Sequence, residues 1–313
     1  MKDLKLPLMS DNISRDDIDC LVEFLQQEPI PRLTNGPKVV EFEEKWSEWL
    51  GVKHSVFVNS GTAANELTML ALRYMYPEGG EIIVPPLTWI SDINSILFAN
   101  FNPVFVDINL KNLSFDLDKL EESITDKTKA IFITHVLGLN ALSERLLKIC
   151  EDNDILLIED VCESHGAAHN FRSTEINAVL GLCQLQNLDS NNQIRIDNFK
   201  YFVDNLKSKK FYTDFQMDGQ CNYAFILIMK EADFELRYLI EKMMKHNGIE
   251  FRRGLSGGGN QMRQPFFKSQ SKIAYEGYPN IEHIHNFSWY IGNYPSLERE
   301  KIDNLIGLLN ETK

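Results

Sequence analysis

Cysteine is scarce and scattered. The 313-residue chain has five, at Cys20, Cys150, Cys162, Cys183 and Cys221, with no CxxC pair among them. Neither a zinc knuckle nor a disulfide framework is indicated, and a reducing cytoplasm is the expected compartment. Long apolar runs are missing as well. No segment reaches the ~18 residues that a membrane span needs. The first residues, MKDLKLPLMSDNISRDD, hold no uninterrupted apolar stretch, so no secretory leader is expected. Basic residues are in deficit: 32 Lys and Arg against 45 Asp and Glu give a formal charge of −13. A surface of that sign repels phosphate backbones and anionic lipid, so neither nucleic acid nor membrane is expected as a partner. There is no internal repeat and no low-complexity tract. What is present is the composition of a globular chain, 43% hydrophobic and 25% charged, with ample material for a core.

The order of elements is the main structural signal. Ser14 to Gln27 reads as an amphipathic helix with Ile18, Leu21, Val22 and Leu25 on its apolar face. Val39 to Leu50 reads as a second helix, stopped by Gly51. Then short β-branched and aliphatic strands alternate with helices. The strands are 55–58, 82–84, 103–106, 130–134 and 155–158. The helices are 62–74, 90–99, 117–123 and 143–152. This rhythm predicts βαβ units and a parallel sheet covered on both faces. After Asn170 the rhythm stops. A helix over 174–189, another over 194–206, a strand over 222–229, a helix over 233–247 and a strand over 249–252 follow. Gly254–Gly259 reads as a flexible loop, and a last helix from Ser296 buries Ile302, Leu305, Ile306 and Leu309. The expected division is a large α/β part over 1–190, with its N-terminal helical segment, and a smaller α+β part over 191–313.

Three groups of residues carry chemical promise. Asn59-Ser60-Gly61-Thr62-Ala63-Ala64 follows a strand and opens a helix. Free backbone N–H groups, the positive helix end and two hydroxyls would form a phosphate cradle there, or Ser60 or Thr62 would merely cap the helix. Glu159 and Asp160 end a strand, where parallel sheets place their ligands. They could bind a metal, orient a base or pair with a protonated ring nitrogen, or face solvent at a loop start. Trp89 follows Pro85 and Pro86 after another strand. It could stack on a flat ring or fill space between helix and sheet. His135, Glu163 and His165 lack any HExxH-type spacing, so no metal site is read from them. Gly257-Gly258-Gly259 matches neither a P-loop nor GxGxxG. His283, His285, Arg252 and Arg253 could meet a nucleotide diphosphate or be surface residues.

Taken together the sequence resembles the DegT/DnrJ/EryC1/StrS family of sugar-nucleotide aminotransferases, of the aspartate-aminotransferase fold type. The matching strings are NSGTAAN (59–65), VPPLTWIS (84–91), PVFVDI (103–108), ITHVLG (133–138), IEDVCESHGA (158–167) and NFRSTEINAVLGLCQL (170–185). They occur in family order up to about Asp189, and the last third matches only loosely. The resemblance implies an α/β fold with a mainly parallel sheet and a small C-terminal α+β domain. It implies a pyridoxal 5'-phosphate (PLP) or pyridoxamine 5'-phosphate (PMP) cofactor and a nucleotide-linked keto-sugar substrate in deoxy- or amino-sugar (surface polysaccharide) biosynthesis. By position, Ser60, Gly61 and Thr62 would hold the phosphate, Trp89 would stack on the ring, and Asp160 would pair with the ring nitrogen. Asn170 and Arg172 would reach an active site across a homodimer interface.

Two departures from the family pattern stand out. Glu163 occupies the position beside the ring hydroxyl where most members carry Gln or His. With THVLG, this leans toward the 3-dehydratase branch, which uses PMP and replaces the Schiff-base lysine by histidine. The second departure is larger. His169-Asn170 runs straight into Phe171-Arg172, where family members carry several dozen residues that include the catalytic Lys or His. No lysine lies between Lys148 and Lys200, and Lys200 falls in a later helix. The resemblance therefore implies either an enzyme of this lineage without its catalytic amine or a non-catalytic remnant that binds or dimerises.

Overall fold

Four short aliphatic strands build a parallel sheet in the computed structural model, which describes residues 6–10, 13–163, 174–265 and 277–312. They are β1 (Glu81–Val84), β2 (Asn102–Phe105), β3 (Thr128–Thr134) and β4 (Leu156–Asp160), in spatial order β2-β1-β3-β4. Every pairing is parallel, so all four C-terminal ends lie along one edge of the sheet. Alternation along the strands fills two cores. Ile82, Val84 and Phe132 pack with Met69, Leu72, Ile93 and Ile96 of helices α3 (Gly61–Met75) and α4 (Ile90–Phe98). Ile83, Ile131 and Ile133 pack with Leu120, Leu146 and Ile149 of helices α5 (Leu117–Glu122) and α6 (Glu144–Asp152). Burial on both faces explains why these strands read as continuous apolar runs.

A second sheet is antiparallel, in the order β5-β7-β6, with β5 (Ala224–Ile228), β6 (Phe251–Arg253) and β7 (Ser288–Gly292). Helices α8 (Leu188–Asn205), α9 (Phe234–His246), α10 (Pro279–Phe287) and α11 (Arg299–Glu311) surround it. Its core takes in Leu87, Val136 and Leu137 from the loops of the first sheet. The C-terminal edge of the parallel sheet therefore abuts the second sheet.

The N-terminal helices α1 (Arg15–Leu25) and α2 (Pro37–Leu50) lie against α7 (Glu175–Leu185). Ser14 and Asp17 close a capping box on α1. Pro37 opens α2, and Gly51 ends it in the left-handed region at φ +70°.

The α/β architecture expected from the sequence is present, and several local expectations change. Residues 55–58 form no strand. A strand exists through its partner, and 55–58 pairs with neither sheet edge, β2 or β4. It leans on α2 instead, with Phe57 N–H donating to Glu43 Oε1 at 2.8 Å, and Val56 is 77% exposed. The expected apolar face of α1 is also turned outward. Ile18, Val22 and Leu25 are exposed, and the helix buries Asp17 and Phe24, with Gln184 of α7 bonded to Asp17. The helix expected over 174–189 is two helices, broken by a turn in which Asn187 N–H reaches the Gln184 carbonyl. The Gly254–Gly259 segment is packed rather than free, with Leu255, Ser256 and Gly259 buried. Helix α10 and the central strand β7 were not legible in the sequence.

Candidate functional site

Loops at the C-terminal edge of the parallel sheet converge on Asp160. This residue ends β4 and is buried. Its Oδ1 accepts the N–H of Cys162 at 2.9 Å, and its carbonyl accepts the N–H of His135 at 3.0 Å, locking the ends of β3 and β4 together. On the opposite side stands α3. Asn65 Nδ2 lies 3.4 Å from Asp160 Oδ2 and donates to Asp92 Oδ1 at 2.7 Å. The first residue of α3, Gly61, lies four residues before Asn65, or about 6 Å along the axis. Ser60 caps it, accepting Ala63 N–H at 3.1 Å. Gly61 and Thr62 are exposed, and a Cβ on Gly61 would meet nothing within 4 Å. The first N–H groups of the helix thus face open space, with the positive end of the dipole behind them.

A third side is built around Glu163, which is buried. Its Oε1 accepts the Trp89 indole N–H at 3.0 Å and the Tyr223 hydroxyl at 3.3 Å. Its Oε2 accepts Leu137 N–H at 2.7 Å. Burial raises its pKa to about 7, and the Asp160 charge adds to that. The donors from Leu137 and Trp89 oppose the rise without cancelling it. Leu137 is held in the left-handed region at φ 51°. Asn222 Nδ2 donates to its carbonyl at 2.8 Å, and Cys221 N–H donates to Gly138 at 2.8 Å. This clamp from the second sheet aims the Leu137 N–H at Glu163. Trp89 itself is 38% exposed, so one part of its ring system remains open.

The packed glycine loop closes the floor. Gly257 sits at φ +59°, and a Cβ there would lie 2.2 Å from the Thr88 carbonyl oxygen. Gln261 N–H donates to the Pro86 carbonyl at 3.0 Å, and its side chain ties back to Gly257 at 2.7 Å. The glycines permit close approach to the loop that carries Trp89.

Of the residues expected from sequence, the structure joins Trp89 directly to Glu163. It links Asp160 to α3 through Asn65, with Ser60, Gly61 and Thr62 at that helix's start. Asn170 and Arg172 lie outside the described residues, as does His165. His135 is structural here: its Nδ1 accepts Ala141 N–H at 3.3 Å, so its Nε2 donates to Glu159 at 3.0 Å. Lys200 is exposed on α8 and pairs with Asp204 at 3.5 Å. Arg253 forks onto Glu241 at 2.8 Å, and His283 donates to the Met229 carbonyl at 2.6 Å. His285 Nδ1 accepts Asn260 N–H at 3.3 Å, and Arg252 is exposed on β6. Sequence reasoning missed Asn65, Asp92, Thr134, Leu137 and Tyr223. Only Asp92 left a signal: it is the one charged residue of α4. Among the described residues, no helix is long and apolar enough to cross a membrane.

Comparison with known proteins places the chain. The model of the DegT/DnrJ/EryC1/StrS aminotransferase family matches residues 12–170 and 167–310. A GDP-4-keto-6-deoxy-D-mannose 3-dehydratase of Yersinia pseudotuberculosis is 25% identical over 399 positions, covering 98% of this chain and 99% of that one. A GDP-perosamine synthase of Caulobacter vibrioides is 35% identical over 139 residues, 44% of this chain and 37% of that one. In fold, the chain resembles a GDP-4-keto-6-deoxymannose-3-dehydratase solved with a trapped PLP-glutamate geminal diamine. The TM-score is 0.87 over 97% of this chain and 100% of that one, at 22% identity. An alignment of 399 positions against a chain of 313 residues leaves at least 86 positions without a counterpart here. The two stretches matched by the family meet at 167–170, the point at which the sequence departs from the family pattern. The chain belongs to the DegT/DnrJ/EryC1/StrS aminotransferase family.

Proposed function

We propose that this chain binds PMP or PLP without a covalent link, together with a nucleotide-linked keto-sugar, as a member of the 3-dehydratase branch of its family. The convergence of Asp160, the Trp89–Glu163 pair and the open N-terminus of α3 on one sheet edge carries the reading. A flat ring with a phosphate arm fits these groups. Asp160 would take the ring nitrogen, Trp89 would cover the ring, Glu163 would face the ring hydroxyl, and the N–H groups of Gly61 and Thr62 with Ser60 would hold the phosphate. The cofactor, when bound, supplies a protonated ring that stabilises negative charge on an attached carbon. The chain's own contributions are orientation, shielding from water, and a carboxyl at Glu163 that exchanges its proton near neutral pH. The end-to-end similarity to a GDP-sugar 3-dehydratase supports a nucleotide sugar as ligand, in deoxy- or amino-sugar (surface polysaccharide) biosynthesis.

Several further points belong to the same reading. Residues 1–190 would form the cofactor-binding part and 191–313 the smaller part. A homodimer is supported by the outward apolar residues Leu67, Leu70 and Tyr74 on one side of α3 and by those of α1. Five free cysteines agree with a cytoplasmic site of action.

Titration with PLP and with PMP, followed by absorbance, tests the reading. A saturable spectral change is expected, weakened in Asp160→Ala. A flat titration with both cofactors would sink it. The missing lysine favours a second reading, a non-catalytic binding partner. Measurable amino transfer from glutamate to a nucleotide-linked 4-keto-sugar would rule that reading out.

A further inference from the structure

Asp92 is a buried acid for which the family resemblance supplies no role. It sits in the first turn of α4 with no solvent exposure. Asn65 Nδ2 donates to its Oδ1 at 2.7 Å. Its Oδ2 meets the Thr88 hydroxyl and lies 3.2 Å from the Thr134 hydroxyl. Those two hydroxyls are themselves 2.6 Å apart. The Asn65 amide also leans on Asp160 Oδ2 at 3.4 Å, so one amide bridges the Asp92 and Asp160 carboxyls. Elements on every side therefore converge on a two-carboxyl unit: α3 through Asn65, the loop after β1 through Thr88, β3 through Thr134 and β4 through Asp160.

Two buried carboxyls that share one amide disfavour a second negative charge, which favours holding one proton between them. The surroundings are unequal. Asp160 receives the Cys162 backbone N–H and keeps 8% exposure, whereas Asp92 has none, and its burial outweighs the hydroxyl donors from Thr88 and Thr134. Burial, with the Asp160 charge next in weight, pushes the Asp92 carboxyl well above the usual range.

We propose that Asp92 is a positioning residue for Asp160: it keeps the proton of the pair and presents Asp160 as the one fixed negative charge facing the site. This rests on the proposed binding of a pyridine-ring cofactor at Asp160. The unit would meet a protonated ring nitrogen with one negative charge rather than two. Its orientation is set through Asn65 and Thr88 before any ligand arrives.

The ligand-free protein tests the proton directly. Infrared spectra at neutral pH with carboxyl-13C aspartate should show a protonated-acid C=O band that carries the isotope shift. Glutamate labelling is left out, because Glu163 would contribute a band of its own. The aspartate band should vanish in Asp92→Asn. Its absence from the wild type, or its survival in Asp92→Asn, overturns the proposal. PLP titration then tests the positioning. Asp92→Asn keeps a neutral donor and should retain binding, whereas Asp92→Leu should weaken it by about tenfold relative to Asp92→Asn. Nitrogen-15 NMR of ring-labelled PLP should show a protonated ring nitrogen in wild type and Asp92→Asn and a neutral one in Asp92→Leu. Equal behaviour of both variants overturns the positioning role. Should the wild type bind no PLP, the cofactor reading fails, and the infrared band alone still decides where the proton sits. The band is read on the unmutated protein, so poor folding of a variant does not mask the result.

Discussion

The indole N–H of Trp89 and the carboxylate of Glu163 meet at 3.0 Å, joining the loop after β1 to the end of β4. An open aromatic ring and a buried acid thus form one unit at the sheet edge. Glu163 also receives the backbone N–H of Leu137 at 2.7 Å, so the unit extends to the loop after β3.

Stability should fall as pH rises through this unit. Glu163 has a folded-state pKa of about 7 against an ordinary 4.5. Between those values the native chain binds a proton that the unfolded chain has released. The stability contributed by neutral Glu163 is therefore full below about pH 4.5 and is lost as pH approaches 7, on the order of 3 kcal/mol in all. Glu163→Gln cannot ionise and should flatten the slope in that window. Urea midpoints measured from pH 4.5 to 7.5 in both proteins check this, and parallel slopes would contradict it.

A second carboxylate works as a structural cap. Glu175 is almost fully buried at the start of α7. Its Oε1 accepts the N–H groups of Gly36 and Val39 at 2.8 and 3.0 Å, and its Oε2 accepts that of Lys38 at 2.9 Å. Pro37 has no N–H to offer, so one side chain satisfies every donor from Gly36 to Val39. Glu175→Ala would orphan three buried or half-buried donors and should cost about 3 kcal/mol. Glu175→Gln keeps one acceptor oxygen and should lose less. Chemical denaturation of the two variants measures the difference.

What was legible follows from where the information is local. The strand-helix alternation, the cap at Ser60, and the buried stripe of Ile302, Leu305, Ile306 and Leu309 are written in runs of a few residues. The positions of Trp89, Asp160 and Glu163 came from ordered family strings. What failed depended on distant partners. Residues 55–58 have strand composition but no neighbour to pair with. The apolar stripe of α1 is real, yet Asp17 and Phe24 face the body of the protein. Tyr223 reaches Glu163 only because the second sheet docks there, and the glycines at 254–259 read as slack until Thr88 is seen against them.

Those glycines give a contrast with few confounders. Gly257 and Gly258 both have positive φ, +59° and +83°, so alanine strains either by about 1 kcal/mol. A Cβ on Gly258 meets nothing within 4 Å, whereas one on Gly257 would lie 2.2 Å from the Thr88 carbonyl oxygen. Gly257→Ala must displace the Thr88 loop and should cost about 2 kcal/mol more than Gly258→Ala. It should also weaken PLP binding, because Thr88 holds Asp92 and neighbours Trp89. Equal melting temperatures for the two variants would show that the loop yields freely.

Reduction chemistry should separate this chain from lysine-dependent relatives. A covalent C=N link to the cofactor needs an unprotonated amine beside the ring site. No lysine lies between Lys148 and Lys200. Lys200 points to solvent with 65% of its side chain exposed and pairs with Asp204 at 3.5 Å. Borohydride added to the protein with one equivalent of PLP should therefore leave no stoichiometric adduct. Traces should be spread over surface lysines and be unchanged in Asp160→Ala. Intact-mass and peptide spectra measure both features. A single lysine modified in full, and protected by Asp160→Ala, would show that another part of the chain supplies the amine, and the non-covalent reading would fall.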